Sequence, residues 1–574
     1  MLSICYMLAI LGTMAFTGLA AAPPLAIIPK VPVTYQGIHR NGVEAFLNVP
    51  YGQDTGDYWR FKPPRPHIPV PGSMVKADSY GPACPQPLGS WMVPLSLTNI
   101  TAISEDCLNL NIVRPRATEA NASLPVMVYI HGGSFWAGSN SEITTSPDGL
   151  VLESVKNKLP VIHVSMNYRL GVFGFAQTSA LRETGSENAG LRDQRLAMEW
   201  VRENIAYFGG NPEKVTIFGQ SSGGLSVGAH ILSYGGTKPV PFQQAICQSQ
   251  AMEPGITANY TLNATKAVVD FLGCNTTDLH SVETLSCLRD HEMQAVLDAS
   301  IATHRPDVNI GHNWLPVVDG DYLPDYPSTL IHKKQFARDL VIMMGWCRDD
   351  VTLFTNTNIS TANDTRDFIA DYLPGLSDDH LQTLLELYSV KNFHANNNLS
   401  GEFYRAARIF RDIIMTCQPY YFANFLKFNR NQIYLYEWNQ TILDPILEHL
   451  GHPAGLGPVH TSEFAYIFGN LSHYNVSGLP FNPSPADHEL QVRASRSWST
   501  FASVGRPGLP YYDTFQGWAP AFEREGQVKV FIAGGPNEGT SYIEGPQANP
   551  VFAGERLRQR CEYWDNSVVK ELQW

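Results

Sequence analysis

Val215-Thr-Ile-Phe-Gly-Gln-Ser-Ser-Gly-Gly-Leu-Ser-Val-Gly-Ala-His230 decides how the rest of this chain is read. Val215 to Phe218 is a short apolar run that reads as a buried strand. It enters Gly219-Gln220-Ser221-Ser222-Gly223 directly, and a small-residue helical pattern follows. Strand, G-x-S-x-G, helix is the setting in which a serine is presented on a sharp turn as a nucleophile. The glycines two before and two after Ser221 let strand and helix pass without side-chain collision. A Ser/Gly-rich turn without chemistry is the competing reading of the pentapeptide alone; the flanking strand and helix argue against it.

The chain has 574 residues, 44% of them hydrophobic, enough to bury a large core. Its formal net charge of −13 and lack of Lys/Arg runs argue against nucleic acid or an anionic membrane as partner. Residues 1–20 are apolar and end in small residues, which reads as a secretory signal peptide with cleavage between about 20 and 22. No later run is long and apolar enough to suggest an integral membrane segment. Asn99, Asn121, Asn259, Asn263, Asn275, Asn358, Asn363, Asn398, Asn439, Asn470 and Asn475 all stand in N-x-S/T sequons, so glycosylated surface loops are expected there. Loss of Cys5 with the signal leaves eight cysteines, an even number suited to an oxidising compartment.

Outward from the elbow, the pattern alternates strands with helices. Val33–Pro50 alternates apolar and polar residues around Asn41-Gly42, a hairpin signal. Pro125–Ile130 and Pro160–Asn167 read as parallel-sheet strands, and Leu191–Phe208 as an amphipathic helix. Further strands are expected at Pro241–Gln248, Leu340–Gly345, Gln432–Glu437 and Lys529–Ile532, with helical insertions over residues 251–310 and 364–428. With no repeat or linker, residues 23–574 are expected to form a single large α/β domain.

A serine hydroxyl needs a general base, an orienting acid and donors for the developing oxyanion. His131-Gly132-Gly133-Ser134-Phe135 follows a strand, and glycines there would let backbone N–H groups crowd an oxyanion. Asp349 and Asp350 follow the strand ending at Gly345, where the acid belongs. His449, His452 and His460 share a Gly/Pro-rich loop; His460 stands out because a helical segment follows it directly. An imidazole acts as base only when neutral, so activity is expected to fall below roughly pH 6–7. There is no metal-ligand spacing and no phosphate loop, so no cofactor is expected.

Taken together, the segments resemble the type-B carboxylesterase/lipase family, which includes the cholinesterases and several fungal lipases. The resemblance rests on Asn48-Val-Pro-Tyr-Gly52, Glu105-Asp-Cys-Leu-Asn-Leu-Asn111, His131-Gly-Gly-Ser-Phe135 and Asn167-Tyr-Arg-Leu-Gly-Val-Phe-Gly174. It continues through Asn188-Ala-Gly-Leu-Arg-Asp-Gln194, Phe218-Gly-Gln-Ser-Ser-Gly-Gly224, Pro316-Val-Val-Asp-Gly320 and His460-Thr-Ser-Glu-Phe464, in the family's order. Arg560-Cys-Glu-Tyr-Trp564 looks most like fungal secreted members. The resemblance implies an α/β-hydrolase fold with a large, mostly parallel central sheet, flanking helices and helical insertions over the site. It also implies Ser221 as nucleophile, His460 as base, Gly133, Ser134 and Ser222 as oxyanion donors, and Asp350, not Asp349, as acid. The implied disulfides are Cys84–Cys107, Cys274–Cys287 and Cys417–Cys561.

Cys247 and Cys347 are left over, and free buried thiols are expected. The sequence also departs from the family. Asp350 replaces the usual Glu, Val351 replaces the following Gly, and Ser134 replaces the third Gly of the donor loop. Gln220 stands where cholinesterases carry Glu, and Leu97 where they carry the choline-binding Trp, with Trp91 elsewhere in that loop. A choline head then has no evident seat. The expectation is a secreted serine carboxylic-ester hydrolase acting on a small-molecule ester. The alternatives are a long-chain lipase, a dedicated esterase or lactonase of a fungal metabolite, and a non-catalytic binding protein on the same fold.

Overall fold

The computed structural model describes residues 22–90, 92–250, 256, 258–274 and 278–569. The expected signal peptide with its cleavage point, Trp91 and Asn275 lie outside the described residues. Among the described residues fourteen strands are formed: β1 Leu25–Ile28, β2 Val33–Gln36, β3 Ile38–Arg40, β4 Val43–Pro50, β5 Ser73–Lys76, β6 Asn109–Pro115, β7 Leu124–Ile130, β8 Ile162–Met166, β9 Gly210–Gln220, β10 Gln244–Gln248, β11 Val341–Cys347, β12 Gln432–Trp438, β13 Lys529–Ala533 and β14 Gly539–Tyr542. Eleven form one sheet in the order β14-β13-β12-β11-β10-β9-β7-β8-β6-β4-β3; β1, β2 and β5 form a small sheet beside it.

From β8 across to β13 every neighbouring pair is parallel, and antiparallel strands close both edges. The apolar runs explain this: β8, β10 and the second half of β9 are buried at every residue, as strands covered on both faces must be. Seven parallel strands end near one another along the carboxyl edge of the sheet, where the connecting loops build the site.

The hairpin predicted at Asn41-Gly42 forms as β3 and β4. Helix Ala189–Asn204 covers the predicted amphipathic segment, and its last turn tightens into a 3-10 turn, Ile205–Phe208, before Gly209 reverses the chain at φ 88°. Helices Tyr260–Phe271, Val282–Asp290 and Met293–Ala302 occupy the first insertion, and Ala362–Tyr372, Asp378–Leu387, Gly401–Arg411 and Cys417–Leu426 the second. Three of the matched motifs prove architectural. Arg169 and Asp193 form a fully buried ion pair (2.7 Å), and Arg60 binds Glu105 (2.6 Å) while donating to the carbonyls of Leu288 and His291.

Cys84–Cys107, Cys274–Cys287 and Cys417–Cys561 are bonded. The last closes a separation of 144 residues and anchors the C-terminal helix Leu557–Tyr563 to the second insertion. By loop-closure entropy, Cys417→Ser/Cys561→Ser is expected to lose about 4–5 kcal/mol of stability, read as a drop in denaturation midpoint. Cys247 and Cys347 are free and buried. Cys247 pairs with Met344 across β10 and β11, which puts Cys347 three residues, roughly 10 Å, further along and beyond bridging distance.

Not every sequon lies in a loop. Asn263 and Asn363 sit within helices, and Asn439 and Asn470 are half-buried. Asn99, Asn121, Asn259, Asn263, Asn358, Asn363, Asn398 and Asn475 are exposed.

Candidate active site

β9 delivers Ser221 in a conformation that L-residues avoid, φ 60° and ψ −128°, at the start of the helix Ser222–Leu232. The glycines around it leave no room for substitution. A Cβ on Gly219 would lie 2.5 Å from the Gly223 carbonyl oxygen, and one on Gly223 would lie 2.2 Å from that of Ile130. The Ser221 N–H donates to Gln248 O (3.0 Å), locking the turn to β10.

The loop after β7 presses on the same point. A Cβ on Gly132 would meet the Gln220 carbonyl oxygen at 2.6 Å, and one on Gly133 (φ 109°) the Ala137 carbonyl oxygen at 2.0 Å. Ser134 and Phe135 are both left-handed, at φ 57° and 55°. Ser134 therefore adopts the conformation a glycine would have taken more cheaply, and its N–H stays in place. The Ser222 hydroxyl accepts from the Phe135 N–H (3.3 Å) and ties loop to elbow. Among the described residues, the N–H groups of Gly133, Ser134 and Ser222 are spent on no protein acceptor. Burial holds the His131 imidazole down to about pKa 4; stacked on Tyr168 and bonded to the Gly132 carbonyl, it supports the loop.

Asp350 and Asp349 are clearly separated. Asp350 is fully buried; its Oδ1 lies 2.5 Å from His460 Nδ1, and its Oδ2 accepts from the Ser249 hydroxyl (2.7 Å) and the Cys347 N–H (2.8 Å). Asp349 faces away, toward Arg408 (3.4 Å). Arg411 donates to the Arg348 carbonyl (3.0 Å) and pairs with Glu555 (3.0 Å), so buried charges from the C-terminal segment brace this loop. The shorter Asp side chain thus reaches the imidazole where Glu is usual. His449 and His452 are exposed, and His460 is buried.

The serine–histidine bond expected of such a site is not formed. Among the described residues Ser221 Oγ makes no hydrogen bond to His460; the Gln220 amide nitrogen lies 3.0 Å from His460 Nε2 instead. Resting sites of this kind often tighten only around a bound substrate. Behind the imidazole, burial first, and then the Asp350 charge, pushes the Glu463 carboxyl upward; Glu463 accepts from the Cys347 thiol (3.1 Å). Sequence patterns did not mark Ser249, and they placed Glu463 in the His460–Phe464 motif without a role, because each acts through another group.

A cavity of about 240 Å³ opens on Ser221 and His460, lined by Met92, Leu95, Trp136, Phe354, Ile414 and Met415 among others. Met92 and Leu95 come from the Cys84–Cys107 loop. Glu142 accepts from Ser96 Oγ (2.7 Å), the Leu97 N–H (3.0 Å) and the Thr98 N–H (3.3 Å), pinning that loop over the cavity. Ile414 and Met415 sit on a π-helical turn, Asp412–Thr416, which ends at the Cys417 disulfide. Trp136 stacks on His304 at 4.8 Å to form another wall.

A strained serine beside unspent N–H donors, with a carboxylate-oriented imidazole after the next core strands, defines the serine-hydrolase class. The chain belongs to the carboxylesterase family, whose model matches residues 33–533, and it is a carboxylic-ester hydrolase. It is 48% identical over 561 residues to a secreted lipase of Arthroderma benhamiae, covering 97% of each chain. It is 36% identical over 504 residues to an inactive carboxylesterase-like protein of Byssochlamys spectabilis, covering 84% of each. Among solved structures it resembles PNB esterase, with 26% identity and a TM-score of 0.74 over 94% of this chain and 99% of that one. Among the described residues, no helix is long and apolar enough to cross a membrane.

Proposed function

We propose that this protein is a secreted enzyme that hydrolyses small carboxylic esters through an acyl-enzyme on Ser221. Ser221 Oγ attacks the ester carbonyl carbon while His460 Nε2 takes its proton. Asp350 keeps the second imidazole proton on Nδ1 and stabilises the imidazolium. The N–H groups of Gly133, Ser134 and Ser222 receive the oxyanion. Collapse expels the alcohol, protonated by His460; water then repeats the sequence and frees the acid. The observation that carries this reading is the 2.5 Å contact of Asp350 with an imidazole standing at the strained elbow.

The same reading takes residues 1–20 as a signal peptide and 23–574 as one hydrolase domain, glycosylated at its exposed sequons and released outside the cell. The disulfides and the secreted relative support that address. A lipase reading is favoured by the name of the Arthroderma benhamiae relative and by the apolar cavity wall. A rate series on p-nitrophenyl esters from acetate to palmitate separates the two. A maximum at butyrate gives an esterase and a maximum toward palmitate a lipase; no turnover of any ester sinks both.

A further inference from the structure

Gln220 precedes the nucleophile and is buried, yet its side chain reaches past Ser221 to the imidazole that must deprotonate that serine. Which groups donate follows from the charges. The Asp350 carboxylate only accepts, so His460 Nδ1 carries a proton, and in the neutral ring Nε2 is the acceptor. Gln220 must therefore present its NH2 to Nε2. That bond exists only while Nε2 has a free lone pair, so it favours the neutral imidazole. It also occupies the atom to which Ser221 has to donate.

We propose that Gln220 is a positioning residue that competes with Ser221 for His460 Nε2, holding the base disengaged from the nucleophile in the resting enzyme. The proposal rests on the reading of Ser221 and His460 given above. A glutamate here would reverse the effect, because a carboxylate facing Nε2 favours the imidazolium. Gln at this position therefore occupies the base's free nitrogen as well as removing an anion from the cavity. The other titratable groups facing this corner are Asp350 and Cys347 from the β11 end, Glu463 behind the ring, Tyr129 and Tyr436 from β7 and β12, which feel the Glu463 charge, and His131, Glu142, His304 and His312 on the cavity wall. All are unchanged in the variants below, so a shift in His460 is assignable to Gln220.

The test is an NMR titration of the His460 ring, assigned by the resonance lost in His460→Gln, in Ser221→Ala and in Ser221→Ala/Gln220→Met. The single donor lost is expected to move the midpoint upward by about half a pH unit to one unit. In protein carrying Ser221, Gln220→Met is expected to react with a fluorophosphonate about threefold to tenfold faster above that midpoint, since the competitor is gone. Gln220→Glu, which keeps size and polarity, is expected to raise the midpoint further and guards against misfolding of the apolar variant. An unmoved midpoint in both variants, or labelling that is unchanged or slower in Gln220→Met, overturns the proposal. The titration is read without turnover, so its outcome is separate from that of the nucleophile assignment, which would fail if Ser221→Ala kept its esterase activity.

Discussion

Ser221→Ala is expected to lower kcat on a butyrate ester by roughly a million-fold, leaving the fold intact. The size of the effect follows from the site's division of labour. The oxyanion donors and the cavity keep acting on bound substrate, but without Oγ no acyl-enzyme forms and the imidazole has no proton to move. Alanine loses only a hydroxyl that has no hydrogen bond to His460 in the resting structure, so the thermal midpoint should move little. A rate within tenfold of the parent, after contaminating esterase is excluded, would remove Ser221 from the mechanism.

Asp350→Asn is expected to cost about 10⁴-fold in kcat. The carboxylate holds His460 Nδ1 at 2.5 Å while accepting from Ser249 and the Cys347 N–H. In the amide, one oxygen can still accept from those two donors, but the NH2 then faces Nδ1. The ring is driven to carry its proton on Nε2, where it cannot take one from serine. Asp349→Asn is the matched control. Its half-buried side chain pairs with Arg408 and leaves the Asp350–His460 contact untouched, so its rate should stay within about threefold of the parent. If Asp349→Asn were the crippled variant, the acid would be misassigned.

The sheet was legible in the sequence wherever strands are buried on both faces. The runs that became β7, β8, β10, β11, β12 and β13 are predominantly apolar stretches, and all six lie inside the edges of the sheet. The small sheet was not legible. β1 and β5 are four-residue strands with alternate residues exposed, too short to show a period. The longest helix among the described residues, Pro485–Val504, escaped because its second half is buried on all sides, with Ser495, Ser497, Ser499 and Thr500 interrupting any apolar stripe. Its start is written plainly in Ser484-Pro485-Ala486-Asp487, which forms a capping box.

At the site, motif order located the serine, its donor loop and His460. It left Asp349 and Asp350 equivalent until family resemblance, and then the geometry, separated them. The contact between Gln220 and His460 joins residues 240 apart in sequence, and the brace from Glu555 to Arg411 spans 144. No local pattern encodes such partners; they follow from how the strands stack. The replacement of Gly by Ser134 was legible as a departure, and its consequence, a serine held at φ 57°, only in three dimensions.

The chain is also similar to a protein named inactive, so the central claim is best tested by chemistry at one atom. Intact protein treated with a fluorophosphonate and digested for mass spectrometry is predicted to carry a single adduct, on Ser221, formed in the folded state and lost in Ser221→Ala. A folded protein that takes up no label, or carries it on another serine, would contradict the account.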